Sequence, residues 1–239
     1  MKIKALVMEF IGTGLLVAAI LGAGYMAAGT TQDAAVGLII NAFAAAAMLA
    51  IIIRLGAKIS GAHYNPAVTL ALLLSKKVDA LTSISYIVAQ VAGAISGAFL
   101  ANAMYGAHIY AVSTAARTNS VLMVSEVVAT AGLVWVILRN ANNANKVALF
   151  APLWIFSAYF FTSSTTFANP AATIGRIFTQ SPAGIAPASI LRFIGAQFLG
   201  AAIGWILHTM LTDMTVMKSD SDATELEGGE PSGSEEISI

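Results

Sequence analysis

The sequence predicts an all-α membrane protein with six transmembrane helices and two membrane-inserted half-helices. Hydrophobic residues make up 58% of the 239 residues and charged residues only 10%, which is more apolar than a water-soluble domain of this size. A span needs ~20 mostly apolar residues. Six segments meet this need, and two further apolar runs are too short to cross. The six spans lie near 5–27, 34–54, 80–104, 120–138, 147–162 and 188–211.

Composition excludes several functional classes. The chain has no cysteine and a formal net charge of zero, so we expect no disulfide, no thiolate metal site and no nucleic-acid partner. The three histidines, His63, His108 and His208, are too scattered for a metal site. We therefore predict no metal and no cofactor. Because no nucleophile stands near a base, an enzyme is not predicted either.

The basic residues predict the orientation of the spans. With both termini in the cytoplasm, nine lysines and arginines fall inside and three fall outside, as the positive-inside rule requires. The lipid bilayer is thus the solvent of a multi-pass protein of an inner or plasma membrane. The inside residues are Lys2, Lys4, Arg54, Lys58, Lys76, Lys77, Arg139, Lys146 and Lys218, and the outside ones are Arg117, Arg176 and Arg192.

The chain divides into one membrane domain, 1–212, and an acidic tail, 213–239. The tail carries eight of the twelve acidic residues and has no apolar periodicity, so we expect it to be disordered and cytoplasmic.

The membrane domain contains two copies of one pattern, 5–105 and 120–211. Each copy opens with a buried acid, Glu9 or Glu126, and each contains an Asn-Pro-Ala box. Three spans per copy is an odd number, so the second copy is inverted in the membrane. A Gly-xxx-Gly pair also recurs in spans three and six, where it allows close helix packing. These pairs are Gly93 with Gly97 and Gly200 with Gly204.

The two boxes predict the half-helices. Asn is a preferred N-cap, and Pro suits the first helical position. The apolar runs that follow end near Ser75 and Thr179, so each helix reaches only ~15 Å. Irregular backbone at membrane depth must be buried or line water. Two helix starts that enter from opposite faces therefore indicate a wet channel at the midplane.

The two boxes resemble the signature of the aquaporin family, the major intrinsic proteins, over residues 5–211. The resemblance implies six helices and two half-helices around a pore for water and small neutral solutes, with four pores in a homotetramer. It also implies that the two acids brace the box loops, whereas proton transport through them is the alternative. The implied pore midplane is Asn65, Pro66, Ala67, Asn169, Pro170 and Ala171.

Charge at the midplane predicts selectivity against cations. Each half-helix directs its positive end there, and the asparagine amides add hydrogen-bond donors. A water held by both donors cannot relay a proton.

The outer constriction departs from the family pattern. Most relatives place an arginine after the second box, where this chain has Ala172. Counting from the boxes without gaps places the other constriction positions at Ala45, Ser157 and Thr166, which predicts a wide and mildly polar opening. A small shift of alignment would instead bring Phe43 into it.

Two further residues have alternative interpretations. Arg176 either guards an outer vestibule or complements the end of the second half-helix. His63 either lines the cytoplasmic mouth or braces its loop.

The wide constriction favours glycerol-like polyols, urea and undissociated metalloid acids, alongside water. The second box region, with Ile174-Gly175-Arg176, also resembles a bacterial branch associated with arsenic resistance, which implies arsenite as one solute. The alternatives are a water-selective aquaporin, an ion-coupled secondary transporter and an anion channel.

Overall fold

The computed structural model describes residues 3–227, with side chains from residue 3 to residue 212. All regular secondary structure in that range is helical. The helices are α1 (Ile3–Thr30), α2 (Ala34–Gly56), α3 (Pro66–Leu74), α4 (Ala80–Met104), α5 (Ser120–Asn140), α6 (Ala144–Phe161), α7 (Pro170–Gly175) and α8 (Ile190–Glu227), and a 3-10 turn at Pro187–Ser189 precedes α8.

Six of these helices are long and apolar enough to cross a membrane, which confirms the six predicted spans. They are α1, α2, α4, α5, α6 and the part of α8 before residue 213. The shortest of the six is α6 with 18 residues, which corresponds to the predicted fifth span, 147–162. The remaining two, α3 with nine residues and α7 with six, are the half-helices. The predicted fold class is therefore confirmed.

The last helix runs to Glu227, and only its backbone is described beyond residue 212. Residues 228–239 lie outside the described part of the chain. The expected disorder of the acidic tail, 213–239, stays a prediction.

Side-chain caps fix where most helices begin. Asp33 accepts from the backbone N–H groups of the first turn of α2, and Asp79 does the same for α4. Asn119 and Asn143 cap α5 and α6 in the same way. Such caps satisfy donors that have no partner within the helix, so each span has a defined entry point from its loop.

The two copies of the repeat pack in the same way, with α1 against α4 and α5 against α8. Glycine makes both contacts possible. A Cβ added at Gly97 would lie 2.1 Å from the carbonyl oxygen of Gly14, and one at Gly204 would lie 2.3 Å from that of Ala131. Backbones in lipid associate through such close packing. These two contacts hold the buried acids of α1 and α5 next to the partner helix.

The second half-helix is shorter than the sequence predicts, because it ends at Gly175 and not near Thr179. After Gly175 the chain forms tight turns, in which Ile177 and Phe178 donate to carbonyls three residues back. Gly175 is also pressed against α4, since an added Cβ would lie 2.6 Å from the Ala94 carbonyl oxygen. These tight turns replace further helical hydrogen bonds, so α7 ends at Gly175.

We call the face at which α1 begins the inner face and the opposite one the outer face. The predicted topology places the inner face in the cytoplasm.

Candidate functional site

The starts of α3 and α7 meet in the interior, and their asparagines hold one another. Asn65 Nδ2 donates to the carbonyl oxygen of Ala168 at 2.7 Å, and Asn169 Nδ2 donates to that of Tyr64 at 2.9 Å. Each Oδ1 meanwhile caps its own helix, accepting from Ala67 in one case and from Ala171 in the other. The two boxes are thus joined by a reciprocal pair of hydrogen bonds.

Each asparagine keeps one N–H for a ligand. An amide nitrogen has two donors, and each Nδ2 uses one of them on the opposite loop. Both residues are nearly fully buried, yet both line a cavity of about 280 Å³, here called the inner cavity. Its other walls are mostly apolar side chains of α1, α2, α5 and α6. The two asparagines therefore line one shared cavity.

The first box loop has an unusual backbone that Glu9 stabilises. Ala62 and Tyr64 have φ values of 56° and 50°, in the left-handed region that costs a non-glycine residue ~1–2 kcal/mol. Glu9 is fully buried and accepts from the N–H of His63 at 3.0 Å and of Tyr64 at 2.6 Å. Ser60 Oγ and Gln90 Nε2 also donate to it. Four donors converge on this one carboxylate.

Glu126 repeats this arrangement in the second copy. It is fully buried and accepts from the N–H groups of Phe167 and Ala168, each at 2.9 Å. Gln197 Nε2 donates to the same carboxylate at 2.7 Å. Ala168 precedes the asparagine and has a φ of 46°, like Tyr64 in the first loop. Both acids therefore sit where a bracing role requires them.

Tyr64 is a structural residue of the site that the sequence reasoning missed. Its ring is buried between α1 and α2, and its hydroxyl donates to the Ile52 carbonyl oxygen at 2.9 Å. Two glycines make room for it, because a Cβ at Gly12 would lie 2.1 Å from the ring and one at Gly56 would lie 1.7 Å from the hydroxyl. In the sequence, the two glycines Gly12 and Gly56 were the signal that could have indicated a large buried side chain next to α1 and α2.

Three of the four predicted constriction residues line the inner cavity. Ala45, Thr166 and Ala172 are buried there. Phe43, the alternative to Ala45, is 66% exposed on the outside of α2. The side chains at these three positions are small, and an arginine directly after the second box is missing in the sequence itself.

The structure does not bring Ser157 into this group. Ser157 is exposed and lies in a surface groove between α5 and α6 with Trp135 and Trp154. Counting without gaps placed it at the constriction, but the loop before the second box sets a different register. Tyr159 faces the inner cavity instead, since two residues turn an α-helix by ~200°. The side chains of α6 that face the cavity are Ala151, Ile155 and Tyr159.

Tyr159 stands between the inner cavity and a second one. This outer cavity, of about 430 Å³, opens at the outer ends of α1 and α2, and Tyr159 lines both cavities. The Tyr159 hydroxyl donates to Asn41 Oδ1 at 3.1 Å, and Asn41 Nδ2 donates to the Ile20 carbonyl oxygen at 2.8 Å. The ring is thus fixed at the junction by a two-step chain of hydrogen bonds.

Arg176 lines the outer cavity and is only 2% exposed. Its guanidinium lies 3.3 Å from the centroid of the Phe167 ring, and its Nε donates to the Ala183 carbonyl oxygen at 2.5 Å. The residue is also the C-cap of α7. It therefore lies at the end of the half-helix and beside the outer cavity, and its two alternative roles stay predictions.

His63 lies in the first box loop and lines the inner cavity. Its Nδ1 is 3.1 Å from Thr69 Oγ1. The ring also makes an edge contact with Tyr86, at a centroid distance of 5.1 Å. The side chain is therefore held by residues of α3 and α4, and its two alternative roles stay predictions. Among the residues whose side chains are described, no group of histidines and acids is arranged to hold a metal ion.

Comparison with known proteins identifies the family. The sequence profile of the Major intrinsic protein family matches residues 1–168. Aquaglyceroporin AqpS of Rhizobium meliloti (strain 1021) is 42% identical over 206 residues, which is 86% of this chain and 88% of that protein. Probable aquaporin PIP2-1 of Oryza sativa subsp. japonica is 32% identical over 245 residues, with 90% and 83% coverage.

A solved structure shows the same fold. The X-ray structure of the aquaglyceroporin from Plasmodium falciparum superposes with a TM-score of 0.70 and 20% identity, covering 90% of this chain and 96% of that one. Members of the family are channels for water and small solutes and are not enzymes. With its six apolar helices, the protein is a multi-pass membrane protein, and the chain belongs to the major intrinsic protein family, the aquaporins and aquaglyceroporins.

Proposed function

We propose that this channel conducts water and small uncharged solutes passively and excludes protons and cations. The observation that carries the proposal is the meeting of Asn65 and Asn169 on one cavity, each with a free amide N–H. No coupling site is needed for passive flow. An ion-coupled transporter would instead accumulate solute against its gradient, and an anion channel would give a conductance in planar bilayers.

Exclusion of protons follows from the two amides and the half-helices behind them. A water at the midplane accepts a hydrogen bond from each free N–H, so its oxygen has no lone pair left for a proton. The positive ends of α3 and α7 point to the same place and repel cations. The pore midplane therefore consists of the two boxes, Asn65-Pro66-Ala67 and Asn169-Pro170-Ala171.

The inner cavity suits polyols better than it suits water alone. Its polar groups lie on the side of the two box loops, and its opposite walls are alanine, leucine and isoleucine side chains. A polyol presents hydroxyls on one side and C–H groups on the other, which matches such a surface. The small side chains of Ala45, Thr166 and Ala172 leave room for it. We propose glycerol-like polyols, urea and undissociated metalloid acids such as arsenite as solutes.

A water-selective aquaporin is the second candidate, and Tyr159 is the observation that favours it. Its ring is fixed at the junction of the two cavities by Asn41. If the ring closes the junction to molecules larger than water, the small residues behind it do not matter.

Stopped-flow light scattering of proteoliposomes distinguishes these two candidates. Vesicles with purified protein and matched empty vesicles are mixed with sucrose, glycerol or urea at equal osmolarity. Our proposal predicts faster water efflux under sucrose and faster re-swelling under glycerol and urea than in empty vesicles. Glycerol re-swelling equal to that of empty vesicles, with fast water flow, would establish the water-selective alternative.

We further propose a homotetramer in an inner or plasma membrane, with both termini cytoplasmic. Large apolar side chains are exposed along the spans, for example Val88 on α4 and Leu199 on α8, and lipid or neighbouring subunits cover such surfaces. Light scattering of the detergent-solubilised protein should give the mass of four 24.6-kDa chains. A protease added to right-side-out vesicles should leave a tag at either terminus intact.

A further inference from the structure

The outer cavity is lined by two arginines whose guanidinium groups are not hydrogen-bonded to a carboxylate. Arg176 and Arg117 both line it, and neither forms an ion pair within the described residues. The acids in this region have other partners. Asp33 caps α2 through Oδ1, and Glu126 accepts from the second box loop and Gln197. A cation that is 2% exposed, as Arg176 is, normally has a counter-charge.

Both arginines are held in the same way. Arg176 Nε donates to the Ala183 carbonyl oxygen, and Arg117 Nε donates to that of the next residue, Gly184, at 3.3 Å. Both guanidinium groups also lie against the Phe167 ring, at 3.3 Å and 5.0 Å from its centroid. One loop and one aromatic ring thus contact both guanidinium groups.

This arrangement leaves the terminal amino groups of both side chains available. Arginine has five N–H donors, and only the Nε donor of each residue has a partner among the described residues. The terminal nitrogens of Arg176 and Arg117 are not among the fully buried side-chain atoms that lack a hydrogen-bond partner. The free amino groups therefore open onto the outer cavity, where they present donors and positive charge.

We propose that Arg176 and Arg117 form a binding site for a small tetrahedral oxyanion, such as sulfate or phosphate, in the outer cavity. Guanidinium groups donate in pairs to such oxygens, and two of them balance a doubly charged anion. Thr165 lines the same cavity and adds a hydroxyl. Binding here goes beyond the passage of neutral solutes, because the ligand is an anion held in the outer cavity.

Isothermal titration calorimetry with sodium sulfate tests the site directly. Purified protein in nanodiscs is titrated at low ionic strength, with sodium chloride at equal ionic strength as the reference titration. We expect saturable binding of one sulfate per chain and no comparable heat from chloride. Because no transport is measured, failure here and failure of the proposed function are distinguishable.

Three variants locate the binding. Arg176→Gln and Arg117→Gln should each weaken sulfate binding about tenfold or more, since each removes charged hydrogen bonds. Arg192→Gln is the matched control, because Arg192 is an exposed arginine near the same face whose Nη1 donates to the Thr118 carbonyl oxygen. It should bind sulfate like the parent. Circular dichroism and gel filtration identify any variant that fails to fold. If Arg176→Gln fails to fold, Arg117→Gln alone tests the site.

Three results would overturn the proposal. The first is the absence of saturable sulfate binding to the parent protein. The second is parent-like binding by a folded Arg176→Gln or Arg117→Gln variant, and the third is equal weakening by Arg192→Gln. Each of the last two would place the bound anion elsewhere.

Discussion

Replacing either buried acid by its amide, Glu9→Gln or Glu126→Gln, should destabilise the box loops. In Glu9, Oε1 accepts from the His63 N–H and Oε2 accepts from the Tyr64 N–H. Backbone N–H groups can only donate. A glutamine has one acceptor oxygen and one NH₂, so in either orientation its NH₂ faces a backbone donor.

The size of the effect follows from the donors that lose their partner. Four groups donate to Glu9, two to each oxygen, so the amide leaves two donors facing an NH₂ group. An unsatisfied buried donor costs ~1–3 kcal/mol, which gives about 2–6 kcal/mol. In a protein of this size that corresponds to a Tm lower by roughly 5–20 °C. Glu126→Gln should behave alike, because its two oxygens also accept from separate backbone N–H groups.

Differential scanning fluorimetry in detergent measures the Tm. Stopped-flow water permeability per reconstituted protein shows whether the pore still conducts when the box loops are less well held. Asp33→Asn is the control, since Asp33 is an exposed acid and asparagine is an equally good N-cap. A Tm for Glu9→Gln equal to that of Asp33→Asn, with unchanged water permeability, would disprove this prediction. It would show that Glu9 does not hold the loop as a four-fold acceptor.

Two further predictions concern packing and the pore. Gly97→Ala should lower the Tm and the folded yield, because its Cβ would lie 2.1 Å from a carbonyl oxygen of α1. Gly195→Ala is the control, since its Cβ meets nothing within 4 Å, and it should leave both unchanged. Equal Tm values for the two variants would contradict the close packing of α1 and α4. Tyr159→Ala should raise urea and glycerol permeability severalfold in re-swelling assays, because it widens the junction of the cavities. Ser157→Ala, on the lipid-facing side of the same helix, should not, and equal effects of the two would place the constriction elsewhere.

Local rules were sufficient to predict most of the fold. Span length depends on bilayer thickness, and half-helix starts depend on an Asn-Pro pair, so both can be recognised in a sequence without tertiary information. The duplication then placed Glu9 and Glu126 in equivalent positions. The end of α7 was not predictable in this way, because it depends on the contact of Gly175 with α4.

The constriction needed three-dimensional information. Ser157 and Tyr159 differ by two positions, which places them on opposite sides of α6. Only the length of the loop before the second box decides which one faces the cavity. Arg176 is a similar case, because its place in the outer cavity depends on Phe167 and the Ala183 carbonyl oxygen, which are distant from any recognisable motif.

In the proposed pore, two asparagine amides let water pass while they interrupt the proton relay. Simultaneous measurement of water and proton flux tests this proposal, with proteoliposomes that contain a pH-sensitive dye and a potassium ionophore to clamp the voltage. We predict water permeability well above that of empty vesicles, together with proton flux equal to theirs under an imposed pH gradient. Proton flux that rises with the amount of reconstituted protein would show that the relay is not interrupted.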